Sequence, residues 1–255
     1  MLRRIDPSTK SAGVIRAMFD EIAPRYDLLN HLLSMGQDRG WRRRLVAQAL
    51  AGSPAGARVR VLDVCCGTGD LALEFCRRSE AMEIVGVDFS MPMLERALRK
   101  QQARAPEAKM IRWVAGDAMQ LPVADRSIDV VSVAFGLRNL TDPERGIREL
   151  ACKLRRGGQL LILEFFRPAR KWLATVFLWY FRNVLPRLGR CLSRARRLDA
   201  YQYLPDSVER FVSPQDVGTW MVGAGLENVR IATMCAGAVA LISARTKPLS
   251  ESSFS

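Results

Sequence analysis

One histidine, His31, stands among 255 residues, and the six cysteines form neither a Cys-x-x-Cys pair nor a His/Cys spacing suited to a metal. That pattern argues against both a zinc site and a disulfide framework, and it points to a reducing cytoplasm. No apolar run of signal-peptide length accompanies the basic start at Arg3 and Arg4, which argues against secretion. Gly/Ser-rich and Pro-rich linkers, internal repeats and low-complexity blocks are also missing, apart from the polar tail Leu249–Ser255, which is expected to be disordered. One domain over residues 1–248 is therefore expected, and an apolar content of 49% is ample for its core. Acidic residues are the last scarcity: 26 Asp and Glu against 39 Lys and Arg leave a formal charge of +13.

What is present is concentrated in Val61-Leu-Asp-Val-Cys-Cys-Gly-Thr-Gly-Asp70, where an apolar strand ending in Asp63 runs into a glycine turn and a helix beginning near Asp70. Gly67 and Gly69, with Thr68 between them, remove side chains where a ligand must approach, and N–H groups at the helix start can take its polar groups. Gly67-x-Gly69-x-x-Ala72 alone also satisfies the loose dinucleotide fingerprint, so a nicotinamide cofactor stays open on these residues. After a helix Leu71–Arg78, a strand Ile84–Val87 ends in Asp88, nineteen residues beyond Gly69, where an acid can accept both hydroxyls of a ribose. A strand Ile111–Val114 leads to Gly116-Asp117-Ala118, and another, Ile128–Ala134, opens into Phe135-Gly-Leu-Arg-Asn139. The helix Pro143–Leu154 and the turn Arg156-Gly-Gly158 then precede a strand Gln159–Glu164. Strands alternating with helices predict an α/β fold, a parallel sheet wound on both faces with its site at the strands' C-terminal ends.

Asp88 for the ribose, with Asp117 or the backbone beside it at Ala118 for an adenine edge, fits adenosine recognition. A carboxylate at Asp63, just before the glycines, can hold the turn and add negative potential near a cationic sulfonium. At this point the chain resembles the Rossmann-like class I S-adenosylmethionine-dependent methyltransferases. Further motifs narrow the resemblance: Tyr26-Asp-Leu-Leu-Asn30, Ser34, Trp41, Cys66-Gly-Thr-Gly-Asp70, Phe135-Gly-Leu-Arg-Asn139, Leu154-Arg-Arg-Gly-Gly158, Tyr201-Gln-Tyr-Leu204 with Ser207, and Ala236-Gly-Ala-Val-Ala-Leu241. Together, from about Met18 to about Lys247, they resemble the quinone-pathway C-methyltransferases, which methylate the ring of demethylmenaquinol or of a polyprenyl methoxybenzoquinol. The resemblance implies S-adenosyl-L-methionine as cofactor and a seven-stranded, mostly parallel sheet with an antiparallel last strand. Strands Val229–Thr233 and Ala238–Ala244, after a helix between Ser213-Pro214 and Gly225, would complete it. Three departures accompany the match: Cys65 at the first glycine of the turn, Asp38 where the pattern usually has His, and Ala134 where some members have a cofactor-facing Ser.

The positive charge is unevenly spread. From Phe165 to Leu198 there are nine Arg and Lys and no Asp or Glu, around the apolar run Trp172–Phe181. Ten residues are too few to span a bilayer, which takes about 20. Aromatic apolar surface flanked by arginines suits a segment lying on an anionic membrane, and a polyprenyl quinol resides in the bilayer. A buried helix or a homodimer contact is the alternative. A peripheral membrane enzyme in the cytoplasm is expected, with residues 165–205 near the substrate entrance. Nucleic acid is disfavoured, because strand four opens into Phe135-Gly-Leu-Arg-Asn139 rather than a polar Pro-rich loop, and no RNA-binding module is visible.

For methyl transfer the chain must bring a nucleophilic carbon in line behind an already activated methyl and exclude water. A quinol, unlike a quinone, pushes electron density onto the ring carbon. Arg138 is the candidate for stabilising the developing phenolate or positioning a water that accepts its proton, being too weak an acid to serve as a direct base. Asn139 holds the loop, and Tyr201 or Tyr203 lines the quinol's path, the two pointing apart if they lie on a strand. The helical cover at residues 12–50 places Tyr26 on cofactor or substrate, with Trp41 as packing. His31, beside Asn30 on that cover, is read as a surface or packing residue. Menaquinone and ubiquinone precursors share these motifs, and a non-catalytic cofactor-binding scaffold is the different-class alternative.

Overall fold

A computed structural model describes residues 12–52, 58–78, 82–104, 111–168 and 199–248. The tail 249–255 and residues 169–198 of the basic aromatic segment lie outside them. The chain opens with helices α1 (Ala12–Ile22), α2 (Tyr26–Leu33) and α3 (Asp38–Ala51). Then follow β1 (Val59–Val64), α4 (Asp70–Arg78), β2 (Met82–Asp88), α5 (Met91–Arg104), β3 (Ile111–Ala115), β4 (Ile128–Ala134), α6 (Pro143–Lys153) and β5 (Leu154–Phe165). Helices α7 (Asp199–Arg210) and α8 (Pro214–Gly223) lead to β6 (Leu226–Met234) and β7 (Val239–Thr246).

The strands form one seven-stranded sheet in the order β3-β2-β1-β4-β5-β7-β6. Pairing is parallel from β3 to β5, and β7 runs antiparallel between β5 and β6. The central strands carry continuous apolar runs because both faces are covered, with Val61 packing to one side and Leu62 and Val64 to the other. On the first face lie Leu45, Val46 and Ala49 of α3 with Leu71 and Phe75 of α4; on the second lie Ile147 and Leu150 of α6 with Val217 and Met221 of α8. Helix α3 is thus core as well as cover. It is tied down further where Gln48 donates to the Ser243 hydroxyl, at 2.5 Å, and Gln159 to the Ala49 carbonyl, at 2.6 Å.

Local signals set the helix starts. Asp142 caps α6 by accepting from the Arg145 N–H, and Ser213 with Asp216 forms a reciprocal capping box on α8. The order reverses between β1 and its neighbours β2 and β4, which leaves a crevice at their C-terminal ends, where α/β sheets bind ligands. Among the described residues no helix is long and apolar enough to cross a membrane.

Candidate active site

The crevice holds a cavity of about 460 Å³, within the range of small-molecule sites. Its floor is backbone in an unusual conformation: Cys65 (φ 55°), Gly67 (φ 53°) and Phe135 (φ 59°) all line it in the left-handed region. For Cys65 and Phe135 that conformation carries a cost, of order 1–3 kcal/mol each. The resemblance marks Cys65 as a departure from glycine, and its positive φ shows why glycine would be the easier residue there. The strain is held in place by packing, since a Cβ added at Gly136 would come within 2.4 Å of the Cys65 Cβ.

Of the residues singled out from sequence, Tyr26, Gly67, Asp88, Asp117, Ala118 and Asn139 line this cavity. The two glycines of the turn separate in role. A Cβ at Gly67 would meet only the Tyr26 ring, at 3.5 Å, whereas one at Gly69 would strike Trp113 at 2.5 Å, so Gly69 makes room for an indole and not for a ligand. Nor are their amides left for a ligand. The Gly67 N–H donates to Asp88 Oδ2 (2.8 Å) and the Gly69 N–H to the Cys66 carbonyl (2.9 Å). Thr68 lies away from the cavity wall, its hydroxyl donating to Asp27 of α2 (2.6 Å) while Lys100 Nζ donates to it (2.7 Å). Ala134 packs against the hydrophobic core. Asp63 stands behind the wall, accepting from the Ser132 hydroxyl across β1 and β4 (3.0 Å).

Arg138 also differs from its expected placement. It is buried, and its guanidinium ion-pairs with Glu164 Oε1 (2.5 Å) while donating to the Phe135 carbonyl (2.8 Å) and the Ser207 hydroxyl (3.4 Å). The Arg138 backbone N–H reaches the other Glu164 oxygen, at 3.2 Å. Tyr203 and Tyr201 lie on helix α7, so the alternation expected of a strand does not apply. The buried Tyr203 hydroxyl donates to Asn139 Oδ1 (3.1 Å), fixing that side chain from behind; the Tyr201 side chain lies outside the described residues. Asp38 is a buried hub, accepting from Ser34 and pairing with His31 and Arg42, rather than a group facing substrate.

Sequence reasoning missed an aromatic wall. Phe19 of α1 meets Tyr26 and Phe89 edge-on, with ring centroids 6.1 and 6.2 Å apart, and all three line the cavity. An aromatic directly after a strand-end acid, as in Asp88-Phe89, was the available signal.

The electrostatics of the cavity oppose those of the whole chain. Desolvation pushes Asp63 up to about 7 and Asp88 to about 6, the latter against hydrogen bonds from Ser90 and Gly67. Cys65, on the floor, registers the same field: burial first, then the charges of Asp88, Asp63, Glu164 and Asp117, hold its thiol well above the ordinary value. Inside a protein with net charge +13 the cavity wall thus carries two carboxylates, Asp88 and Asp117, beside the single cation Arg16, which leaves it open to a cationic ligand. An open glycine wall, a strand-end carboxylate for a diol and aromatic surface fit S-adenosyl-L-methionine.

A model described as the ubiE/COQ5 methyltransferase family matches residues 7–246. The chain belongs to that family. It is 45% identical over 224 residues to a demethylmenaquinone methyltransferase of Thermus thermophilus, covering 88% of this chain and 97% of the relative. A protein of the same name from Deinococcus radiodurans is 47% identical over 84% of this chain and 85% of its own. A ubiquinone/menaquinone biosynthesis C-methyltransferase UbiE of Geotalea uraniireducens is 41% identical, over 87% and 92%. Solved structures agree on the fold. A SAM-dependent methyltransferase from Aquifex aeolicus superposes with TM-score 0.54 at 17% identity, over 78% of this chain and 88% of its own. The [4+2]-cyclase SpnF reaches 0.63 at 18%, over 92% and 95%. One fold carrying both names shows that activity must be argued from family and site.

Two outcomes follow from these buried charges. Between the ordinary carboxylate range and about 7, the folded chain keeps an Asp63 proton that the unfolded chain has lost, so this group's contribution to stability falls as pH rises through that window. Asp63→Asn should therefore be more stable than the native chain at about pH 8, by about 1–3 kcal/mol in urea denaturation, with the gap shrinking toward about pH 5. A variant less stable at the higher pH would show the carboxylate to be satisfied where it stands. Arg138→Ala should cost about 3–5 kcal/mol, since it strands Glu164 without its cation, and Arg138→Ala with Glu164→Leu should recover much of that loss. Equal denaturation midpoints for the native chain and the single variant would refute the structural weight of the pair.

Proposed function

We propose that this protein transfers the methyl group of S-adenosyl-L-methionine to a ring carbon of a polyprenyl quinol, demethylmenaquinol before methoxybenzoquinol. The observation that carries the reading is the cavity built on Gly67 and Asp88, walled by the aromatic rings of Phe19, Tyr26 and Phe89. The names of the 45% and 47% identical relatives favour the menaquinone precursor. When bound, the cofactor supplies a methyl already activated on cationic sulfur.

The chain's own work is to bind, orient and exclude water. Asp88 takes the ribose hydroxyls, Asp117 and Ala118 the adenine edge with Phe89 offering aromatic surface, and the buried carboxylates favour the cationic end. Helices α1 and α2 close the cavity with Phe19 and Tyr26. On the acceptor side, Phe135 and Asn139 meet the quinol ring. Arg138 serves as a positioning residue: already neutralised by Glu164, it fixes the loop that presents both. The basic aromatic segment Phe165–Leu198 meets the anionic bilayer surface in which the quinol's tail resides, a reading that its charge and apolar run support.

Asp88→Ala should weaken cofactor binding by about 1.5–3 kcal/mol in calorimetry, and native affinity should fall as pH drops through about 6, where Asp88 gains its proton. An affinity unchanged in the variant would remove the ribose assignment. Purified protein, labelled cofactor and a reduced short-chain demethylmenaquinol or methoxybenzoquinol should yield a ring-methylated product, located by mass spectrometry, while the oxidised quinone gives essentially none. Equal rates on both redox forms would overturn the mechanism, and no product on either quinol would leave the scaffold reading.

A further inference from the structure

A second cleft lies between the C-terminal part of α2, the first half of α3 and the outer face of α4, with a volume of about 220 Å³. Unlike the first, it is lined by polar and charged side chains, His31, Arg39, Arg42, Arg43 and Arg77 together with Asp70 and Glu74. Helical spacing assembles it: Arg39 and Arg43 are four residues apart on α3, as are Asp70 and Glu74 on α4, so each pair shares a face.

The acids here are outnumbered. Glu74 is approached by three arginines, Arg43 at 3.8 Å, Arg77 at 3.6 Å and Arg78 at 3.2 Å. Asp70 is shared between Arg42 (3.3 Å) and Lys100 (2.8 Å), and Asp38 between Arg42 and His31. Arg39, meanwhile, reaches the ring nitrogen Nε2 of His31 at 3.4 Å, a contact with a group that carries no negative charge. Arg39, Arg43 and Arg77 are exposed at the rim while Arg42 is buried at the base. Arginines from two helices thus line one small polar cleft, Arg43 and Arg77 sharing a single carboxylate there, and guanidinium forks of this kind suit the tetrahedral oxygens of a phosphate.

We propose that this cleft is a binding site for a phosphate group, held chiefly by Arg39, Arg43 and Arg77, and carried either by free phosphate or by the phosphodiester of a lipid headgroup. It stands apart from the methyl-transfer cavity, and its test needs neither cofactor nor quinol. Isothermal titration of the full chain with inorganic phosphate, and separately with glycerophosphoglycerol as a chain-free phosphodiester, distinguishes the two sources. Saturable binding of either probe, weakened about tenfold or more in Arg39→Gln with Arg43→Gln and in Arg77→Gln, supports the site. Arg148→Gln removes an equal charge from α6 and should bind as the native chain does. Tighter binding of the diester assigns the headgroup, and tighter binding of inorganic phosphate assigns the free ion. Circular dichroism confirms that each variant is folded, and the single exposed substitution Arg77→Gln keeps the test valid if the double variant is not. No saturable binding of either probe, or equal affinities in the Arg77 and Arg148 variants, overturns the proposal.

Discussion

The carboxylate of Asp88 is the constraint on which the rest of the site depends. One oxygen accepts the Gly67 N–H, at 2.8 Å, and the other the Ser90 N–H, at 2.9 Å, so the end of β2 draws in the turn after β1 and the start of α5 together. Buried, it would be expensive to ionise without those donors. With them it stays poised, raised to about 6 rather than neutralised. The group that ties three segments together also lines the cavity, so the shape of the site and the charge state of Asp88 are coupled.

Around it, charge is arranged in two layers. The inner layer is acidic, Asp63, Asp88, Asp117 and Glu164 converging near Cys65 at the ends of the strands. An outer layer of cations fastens the cover to it: Lys100 bridges Asp27 of α2 and Asp70 of α4, at 2.7 and 2.8 Å, while Arg42 joins Asp38 and Asp70. Thr68 of the turn donates to the same Asp27. A turn that reads in sequence as a ligand cradle therefore uses its one hydroxyl to hold the cover, and the cover in turn supplies Phe19 and Tyr26 to the cavity.

A second buried pair holds the loop after β4. Arg138 and Glu164 sit one strand apart, and the arginine's donors are distributed over Glu164, the Phe135 carbonyl and Ser207. Ser207 and Tyr203, one helical turn apart on α7, thus grip Arg138 and Asn139 of the strand-four loop. Phe135 and Asn139 of that loop line the cavity, while the Arg138, Tyr203 and Ser207 groups that hold it do not.

Periodicity and strand-end chemistry were enough to determine the alternation of strands and helices, a parallel sheet and a site at the strands' C-terminal ends; the antiparallel last strand came from the family resemblance, and the position of the crevice beside β1 from the strand order. Apolar runs, glycine turns and capping residues act over a few neighbours, so they survive in a linear reading. That Asp88, Gly67 and Asp117 stand at the crevice was legible for the same reason, each lying at or just beyond the end of its own strand. Only the tertiary structure decided that Gly69 serves Trp113, that Thr68 and Asp38 serve the cover, that Arg138 is spoken for by Glu164, and that Phe19 and Phe89 wall the cavity. Those outcomes depend on partners 26 or more residues away for Arg138 and Thr68, and on which of several nearby groups wins a buried charge. Burial and pairing are properties of the packed chain, and no spacing along it encodes them.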